Sequence, residues 1–561
     1  MNELKAKKIF EEAQKKFEEF KYDEARNLWL KILEFYPENL SLLRNISLSY
    51  FNQKKFFETE KILKKILKIN LSEPNAISML IFVLEQQDKI VEAQNLIKEG
   101  LKNNILEEHW NFKMKTMIPM IRLNNEIIKN FRSEIENYID EIINDKKNYN
   151  FNPNDHLIKP PHFGLSYDEF NNLELNKKCV NFFRKIYPGL NRSYKIDNHN
   201  SNKIKIGFIS EYLTDHTIGK LFKGIILNLN KNEFDIKVFH TEQTKKGLIL
   251  DELITAEKNE SIKNYFLPKN FHEKQKIILK EKLDILFYPE IGLSLQLYYL
   301  SFLKLAKYQV TSWGHPETTG NHSIDYFISS KLIESSDGQN NYSEKLICSD
   351  SLPMFYYKPK VKKELNEVET SKTNIYSCPQ TLFKLHPEFD KIIEGIQARD
   401  KNSIIYFIKD PNQILFKILI DRMKKNSQIN LDKITFLEGL SWEEYINHCG
   451  KASVLLDPLY FGAGNSFYES MFYGTPTISL PTKYTKSRLV LGAYNQMDIS
   501  NVNFNPISNS LDDYVSKAVE TANKPNLFEL KQELKSKAHK KLYENKDSII
   551  DLEMIFKKIV S

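Results

Sequence analysis

The sequence predicts an α/β protein of two Rossmann-like lobes behind an all-α arm of tetratricopeptide-like repeats. Three observations predict it. Positions near the N-terminus repeat with a step of 34 residues. From about residue 203, short apolar runs alternate with helical stretches, as in parallel sheets with crossover helices. A second series of the same kind opens at Asn374.

The arm is assigned to residues 1–104. Tyr22, Phe56 and Ile90 lie 34 apart, as do Glu24, Glu58 and Glu92, and Leu28, Ile62 and Leu96. Ala25, Thr59 and Ala93 take the place where a small residue lets two helices approach. A 34-residue period is that of tetratricopeptide helix pairs. A single pair cannot bury its apolar face, so neighbours stack. About three repeats give a short arm, suited to an extended peptide or to homo-oligomer contacts.

Residues 105–200 read as a helical connector. Residues 105–147 are helical by pattern, and Asn150–Pro161, with three prolines, is a linker. Another helix lies around Val180–Ile186, and the polar stretch Asp197–Asn202 marks a domain boundary.

The first lobe is placed at 201–365, with strands at Lys205–Ser210, Asp235–Phe239 and Asp284–Tyr288 and helices at His216–Leu229 and Lys276–Leu283. The second is placed at 366–561, joined near 359–373. Its strands are expected at 375–377, 403–408, 434–436, 454–456 and 477–479. Its helices are expected at Pro387–Ala398 and Ile414–Lys425, with a turn at Asp410–Asn412 between. Ligands of open parallel sheets sit beyond the carboxyl ends of the strands.

Composition narrows the function. The 80 basic residues against 73 acidic ones give +7 over 561 residues, too small and scattered for a nucleic-acid footprint. Cys179, Cys348, Cys378 and Cys449 lie far apart without zinc-ligand spacing. No apolar leader and no 18-residue apolar run occur. A cytoplasmic protein with free thiols is expected.

The segment Asp457–Pro476 (DPLYFGAGNSFYESMFYGTP) carries the chemistry. A strand ends in the small-residue loop Gly462–Gly464, and Asn465 or Ser466 would cap the following helix, which ends near Gly474. Free backbone N–H groups at such a turn suit phosphate. Glu469, about one turn on, could hold a ribose diol.

This segment resembles the nucleotide-binding segment of the O-GlcNAc transferase and SPINDLY-like family of repeat-bearing glycosyltransferases. Trp313–Tyr326 followed by Tyr342–Leu346, Cys378–Pro387 and Lys205–Lys220 resemble the family too, in the same order. The resemblance spans roughly 160–545. It implies a GT-B-type fold, an inverting reaction without metal or other cofactor, a UDP-sugar donor and a protein or peptide acceptor.

Residue by residue, Lys384 resembles the lysine on the donor diphosphate, and Gln380 the nearby glutamine. Asn465 stands where the animal enzymes have a phosphate-binding threonine. Glu469 matches the residue on the ribose, with Gly464 and Ser466 beside it. Gly314 and His315 lie in the loop that looks onto the donor sugar. His216 resembles the histidine beside the reaction centre; it and Glu211 are rival bases. Tyr445 stands where the animal enzymes stack a histidine on the base. The spacing from Gln380 to Lys384 is one residue longer than the family's. UDP-GlcNAc transfer to Ser or Thr is the leading expectation. UDP-glucose, UDP-galactose or GDP-fucose, with Asn as an acceptor, and a non-catalytic repeat scaffold are the alternatives. No Asp-X-Asp pair stands at a strand end, consistent with no metal. A lysine with helix N–H groups can carry the leaving-group charge instead.

Overall fold

The computed structural model describes residues 1–156, 158–196, 201–259, 262–362, 373–411, 413–426 and 428–561, the side chain of 426 excepted. Part of the expected boundary at Asp197–Asn202, most of the join at 359–373 and the turn residue Asn412 lie outside the described residues. The chain divides into two compact units, Met1–Arg122 with Asp410–Asp421, and Leu123–Lys409 with Arg422–Ser561.

The first unit opens with helix pairs α1 (Glu3–Glu18) and α2 (Tyr22–Leu33), α3 (Leu40–Asn52) and α4 (Phe56–Ile69), α5 (Pro74–Gln86) and α6 (Ile90–Lys102). The second helix of each pair starts at Tyr22, Phe56 and Ile90, the residues that define the 34-residue step. Ala25, Thr59 and Ala93 are fully buried at the approach of paired helices. Phe20, Lys54 and Asp88 close the three intra-pair turns with φ of 61°, 57° and 56°, so the left-handed turn repeats on the same period. The expected continuous helical pattern over 105–147 is broken. Helices span His109–Lys115 and Asn125–Asn144, and the intervening residues, with Pro119, form none. Proline removes a donor and cannot continue a helix interior.

The second unit holds two parallel sheets. The first contains β1 (Ile204–Ile209), β2 (Phe234–His240), β3 (Lys263–Phe266), β4 (Ile285–Tyr288), β5 (Tyr308–Ser312), β6 (Tyr326–Ser330) and β7 (Lys345–Ser349), in the order β3-β2-β1-β4-β5-β6-β7. Ile206 pairs with Ile236 on one side and Ile285 on the other. The second contains β8 (Asn374–Cys378), β9 (Ser403–Ile408), β10 (Ile434–Leu437), β11 (Val454–Leu456) and β12 (Thr477–Ile478), in the order β10-β9-β8-β11-β12. In each sheet the winding reverses beside its first strand, at β1/β4 and at β8/β11. A crevice opens at such a reversal, on the carboxyl side of the strands.

β3, β5, β6 and β7 were not among the expected strands. β3 is exposed at the edge, and the others mix Tyr, Ser, Thr and Lys into short runs, so no continuous apolar signal marks them. The helix expected at 276–283 runs Phe271–Lys280, because the Asn270 side chain accepts from the amides of His272 and Glu273 and fixes an earlier start. The connector helix Leu173–Ile186 turns Phe183 onto Tyr298 and Tyr299 of the first lobe at 5.7 and 5.4 Å between rings. The helix Asp547–Val560 returns to the first lobe, with Phe556 fully buried against Phe234 and Phe287.

Candidate functional site

The two crevices meet. After β8 the chain turns through Pro379 and Gln380 to Lys384; after β11 it runs through Asp457 to the Gly462–Gly464 loop. Lys384 Nζ donates to Gln380 Oε1 at 3.0 Å and to the Gly462 carbonyl at 3.3 Å, and stands 4.9 Å from the centre of the Phe461 ring. Gln380 Nε2 donates to Ser466 Oγ. Burial depresses the Lys384 ammonium to about 8, opposed by the nearby Asp457 carboxyl.

Asp457 lies beneath the loop and accepts from the Ala463 amide at 2.6 Å and from Ser479 Oγ at 2.5 Å. Desolvation raises it to about 7. A Cβ on Gly462 would stand 3.1 Å from this carboxylate, a tighter contact than side chains ordinarily make, so a larger residue would press on Asp457.

The helix after the loop is shorter than expected and capped differently. It spans Asn465–Ser470, and Gly464 is its cap without a side-chain bond, so neither Asn465 nor Ser466 is the cap. Their side chains are engaged elsewhere. Asn465 Oδ1 accepts from Tyr356 at 2.8 Å, and Ser466 takes Gln380. The chain then turns to Gly474, whose φ is 68°. Glu469 is buried. Its Oε1 accepts from Lys220 Nζ of the first lobe at 2.6 Å and from Trp442 Nε1 at 2.8 Å. Tyr445, one turn beyond Trp442, packs its ring with Ile375 against Cys449, Ala452 and Leu455, and its hydroxyl is 3.4 Å from the Pro379 carbonyl.

In the first lobe, His216 caps the helix Thr217–Asn228. Its Nδ1 accepts from the Ile218 amide at 3.3 Å, and its ring lies 4.5 Å from that of Tyr212. Burial and the cations Lys220 and Lys245 lower it to about 4. It is therefore neutral at pH 7. With Nδ1 accepting, its proton sits on Nε2, which is a donor. Glu211 Oε2 accepts from Ser294 at 2.6 Å. Gly314 presses on the end of β4, where a Cβ would stand 2.4 Å from the Pro289 carbonyl. His315 is buried, with Nε2 3.3 Å from Ser166 Oγ.

Sequence reasoning did not single out several neighbours. Lys220 closes the stretch Lys205–Lys220, and Trp442 opens a helix with a Ser441–Glu444 capping box, but neither signals a ligand by itself. Glu290, just past β4, is fully buried; Ser210 donates to its Oε1 at 2.8 Å, and burial raises it to about 8. The connector also enters the site. Tyr167 meets Phe383 and Phe461 at 5.0 Å each, and Lys486 of the second lobe donates to the carbonyls of Asp168 and Phe170 and pairs with Glu317. Burial of polar side chains in one wall makes such a contribution invisible to local pattern.

Two parallel lobes meeting through their reversal crevices, behind helical repeats, define a GT-B-type two-lobed architecture. The whole chain superposes on a lysine-to-methionine mutant of the O-GlcNAc transferase of Thermobaculum terrenum, with a TM-score of 0.70, 13% identity and coverage of 99% of this chain and 97% of that one. It is 25% identical over 353 residues to a probable UDP-N-acetylglucosamine–peptide N-acetylglucosaminyltransferase of Arabidopsis thaliana, covering 60% of this chain and 34% of the relative. It is 23% identical over 245 residues to a UDP-glucose:protein N-β-glucosyltransferase of Actinobacillus pleuropneumoniae, covering 42% of this chain and 38% of the relative. The chain is thus similar in sequence and in fold to proteins of the O-GlcNAc transferase and SPINDLY-like kind. It spans little more than a third of the length of these two relatives. No family model matches it. Among the described residues, no helix is long and apolar enough to cross a membrane.

Proposed function

We propose that this protein is an inverting, metal-independent glycosyltransferase that moves a sugar, foremost GlcNAc from UDP-GlcNAc, onto Ser or Thr of a protein acceptor. The observation that carries the reading is Lys384. It is an ammonium set between Gln380, the Gly462 carbonyl and the turn into Ser466, at the β8/β11 crevice. A nucleotide diphosphate leaving group gains negative charge as the glycosidic bond breaks. A pre-placed ammonium in a water-poor crevice stabilises that charge most in the transition state. Asn465 and Ser466 offer polar groups to the same phosphates, and Glu469 to the ribose.

On the acceptor side, His216 works as a neutral donor through Nε2–H, orienting the incoming hydroxyl or the departing phosphate. Glu211, at the β1/β4 crevice, then takes the acceptor proton. Gly314 keeps the loop over the donor sugar close to β4, and His315 anchors it on the connector. The similarity to the Actinobacillus UDP-glucose:protein N-β-glucosyltransferase favours a second reading, glucose from UDP-glucose onto a protein nitrogen.

Lys384→Ala is expected to lower transfer from labelled UDP-sugars to lysate proteins by on the order of a hundredfold or more. Its circular dichroism should match wild type. Transfer that survives nearly unchanged would remove the diphosphate site from the reading.

A further inference from the structure

The loop that follows β5 leans on the connector through a line of polar groups. Glu317 Oε1 pairs with Lys486 Nζ at 2.8 Å, and both its oxygens accept from Asn172 Nδ2, at 2.9 and 3.0 Å. Its Oε2 also lies 2.7 Å from Ser166 Oγ, and Ser166 Oγ lies 3.3 Å from His315 Nε2. Asn172, Ser166, His315 and Lys486 are all buried. The line runs from an ammonium through a carboxylate and a hydroxyl to an imidazole.

The hydrogens along it have one assignment. Burial works against a charge on Glu317, but Lys486 and then His315 hold its carboxyl below the ordinary value, so it is an anion at pH 7. An anion only accepts, so Ser166 donates its one hydrogen to it. The His162 carbonyl, 2.9 Å from the same hydroxyl, is the weaker acceptor. Ser166 is left as an acceptor toward His315, which therefore donates from Nε2. Burial lowers His315 to about 4, so the ring carries one proton at pH 7. With that proton on Nε2, Nδ1 keeps its lone pair. The Cδ2 edge of the ring is covered. A Cβ on Gly292 would stand 3.4 Å from it, and the rings of Phe163 and His162 lie 5.6 and 5.7 Å from that of His315. Among the described residues, none bonds Nδ1.

We propose that Ser166 is a positioning residue for the donor sugar: it carries the hold of Glu317 to His315, fixes that ring with its proton on Nε2, and leaves Nδ1 to accept from a sugar hydroxyl. This rests on the place given to the Gly314–His315 loop under Proposed function. Two measurements on the full chain test it. NMR of protein labelled with 15N-histidine reads the tautomer without any ligand, the His315 signal being the one lost in His315→Gln. Wild type is expected to show Nδ1 unprotonated, and Ser166→Ala to move the ring toward the other tautomer. Titration calorimetry then compares UDP with UDP-GlcNAc and UDP-glucose. Ser166→Ala is expected to weaken the UDP-sugar that wild type binds by roughly three- to tenfold, the worth of one hydrogen bond, and to leave UDP unchanged.

A wild-type His315 protonated on Nδ1 would overturn the proposal, with no substitution needed to show it. So would a Ser166→Ala with the tautomer of wild type, or one that loses UDP and UDP-sugar equally, because Ser166 would then only pack the connector. Wild type that binds UDP but neither UDP-sugar would remove the loop from the donor sugar and the proposal with it. Wild type that binds none of the three would overturn the donor reading itself.

Discussion

At the scale of single residues, Lys384 and Asp457 are an acid and a base brought close together by burial, at about 8 and about 7. A diphosphate entering beside Lys384 favours its charged form. At pH 8.5, where part of the lysine is neutral, UDP binding is expected to take up a fraction of a proton. Calorimetry in buffers of different ionisation enthalpy reads this directly, and uptake should vanish in Lys384→Met. Asp457 carries a stability consequence. Its folded value is raised above 3.8, so the native state holds a proton that the unfolded state has lost between about pH 4 and 7. Stability is therefore fullest below that window and falls as pH rises through it. Asp457→Asn should be more stable relative to wild type at pH 8 than at pH 5, measured by urea denaturation.

His216 gives a third expectation. Its value of about 4 means that an activity profile should show no acid limb near 6.5 due to this residue. The identity of these groups was legible as residue types at motif positions. Their protonation was not, because it depends on burial in the folded lobe and on charges such as Lys245 that lie elsewhere in the chain.

At the scale of elements, the repeat period was readable because each helix pair repeats the same local solution, down to the left-handed residues at 20, 54 and 88. The strands of the crevices were readable because they are apolar on both faces: β1 and β4 are buried almost throughout. β3 and β5–β7 were not, because sheet partners rather than their own residues supply their order. The helix cap at Gly464 was also misread. A serine or asparagine after a glycine loop satisfies the capping pattern, but here both side chains reach across to Gln380 and Tyr356. Gly474 ends this element with φ of 68°, and a Cβ there would meet the Lys531 carbonyl at 2.0 Å. Gly474→Ala should cost about 1–3 kcal/mol from the backbone alone, and more from the clash, read as a lowered denaturation midpoint.

At the scale of the second unit as a whole, the lobes are tied by charges placed between them. Lys220 reaches Glu469, and the fully buried Lys486 reaches two connector carbonyls and Glu317. Removing one partner of a buried pair leaves the other uncompensated. Lys486→Met is expected to destabilise this unit by about 3–5 kcal/mol, whereas Lys220→Met, at a half-open position, should cost far less and act mainly on donor affinity. Denaturation of both variants, followed alongside UDP binding, separates the two. None of this was visible in sequence, where Lys486 and Asp168 are 318 positions apart.

The return of helix Asp547–Val560 to the first lobe has a bearing on how the chain is made. Phe234 and Phe287 belong to strands synthesised some 270 residues or more before Phe556, which covers them. During translation the faces of those rings that Phe556 covers have no such cover until it is made. That cover comes from a segment made after the whole second sheet. A nascent chain stalled before residue 547 is therefore expected to expose this aromatic patch to chaperones, read by crosslinking on the ribosome, and a chain stalled after residue 561 is expected to lose that crosslink.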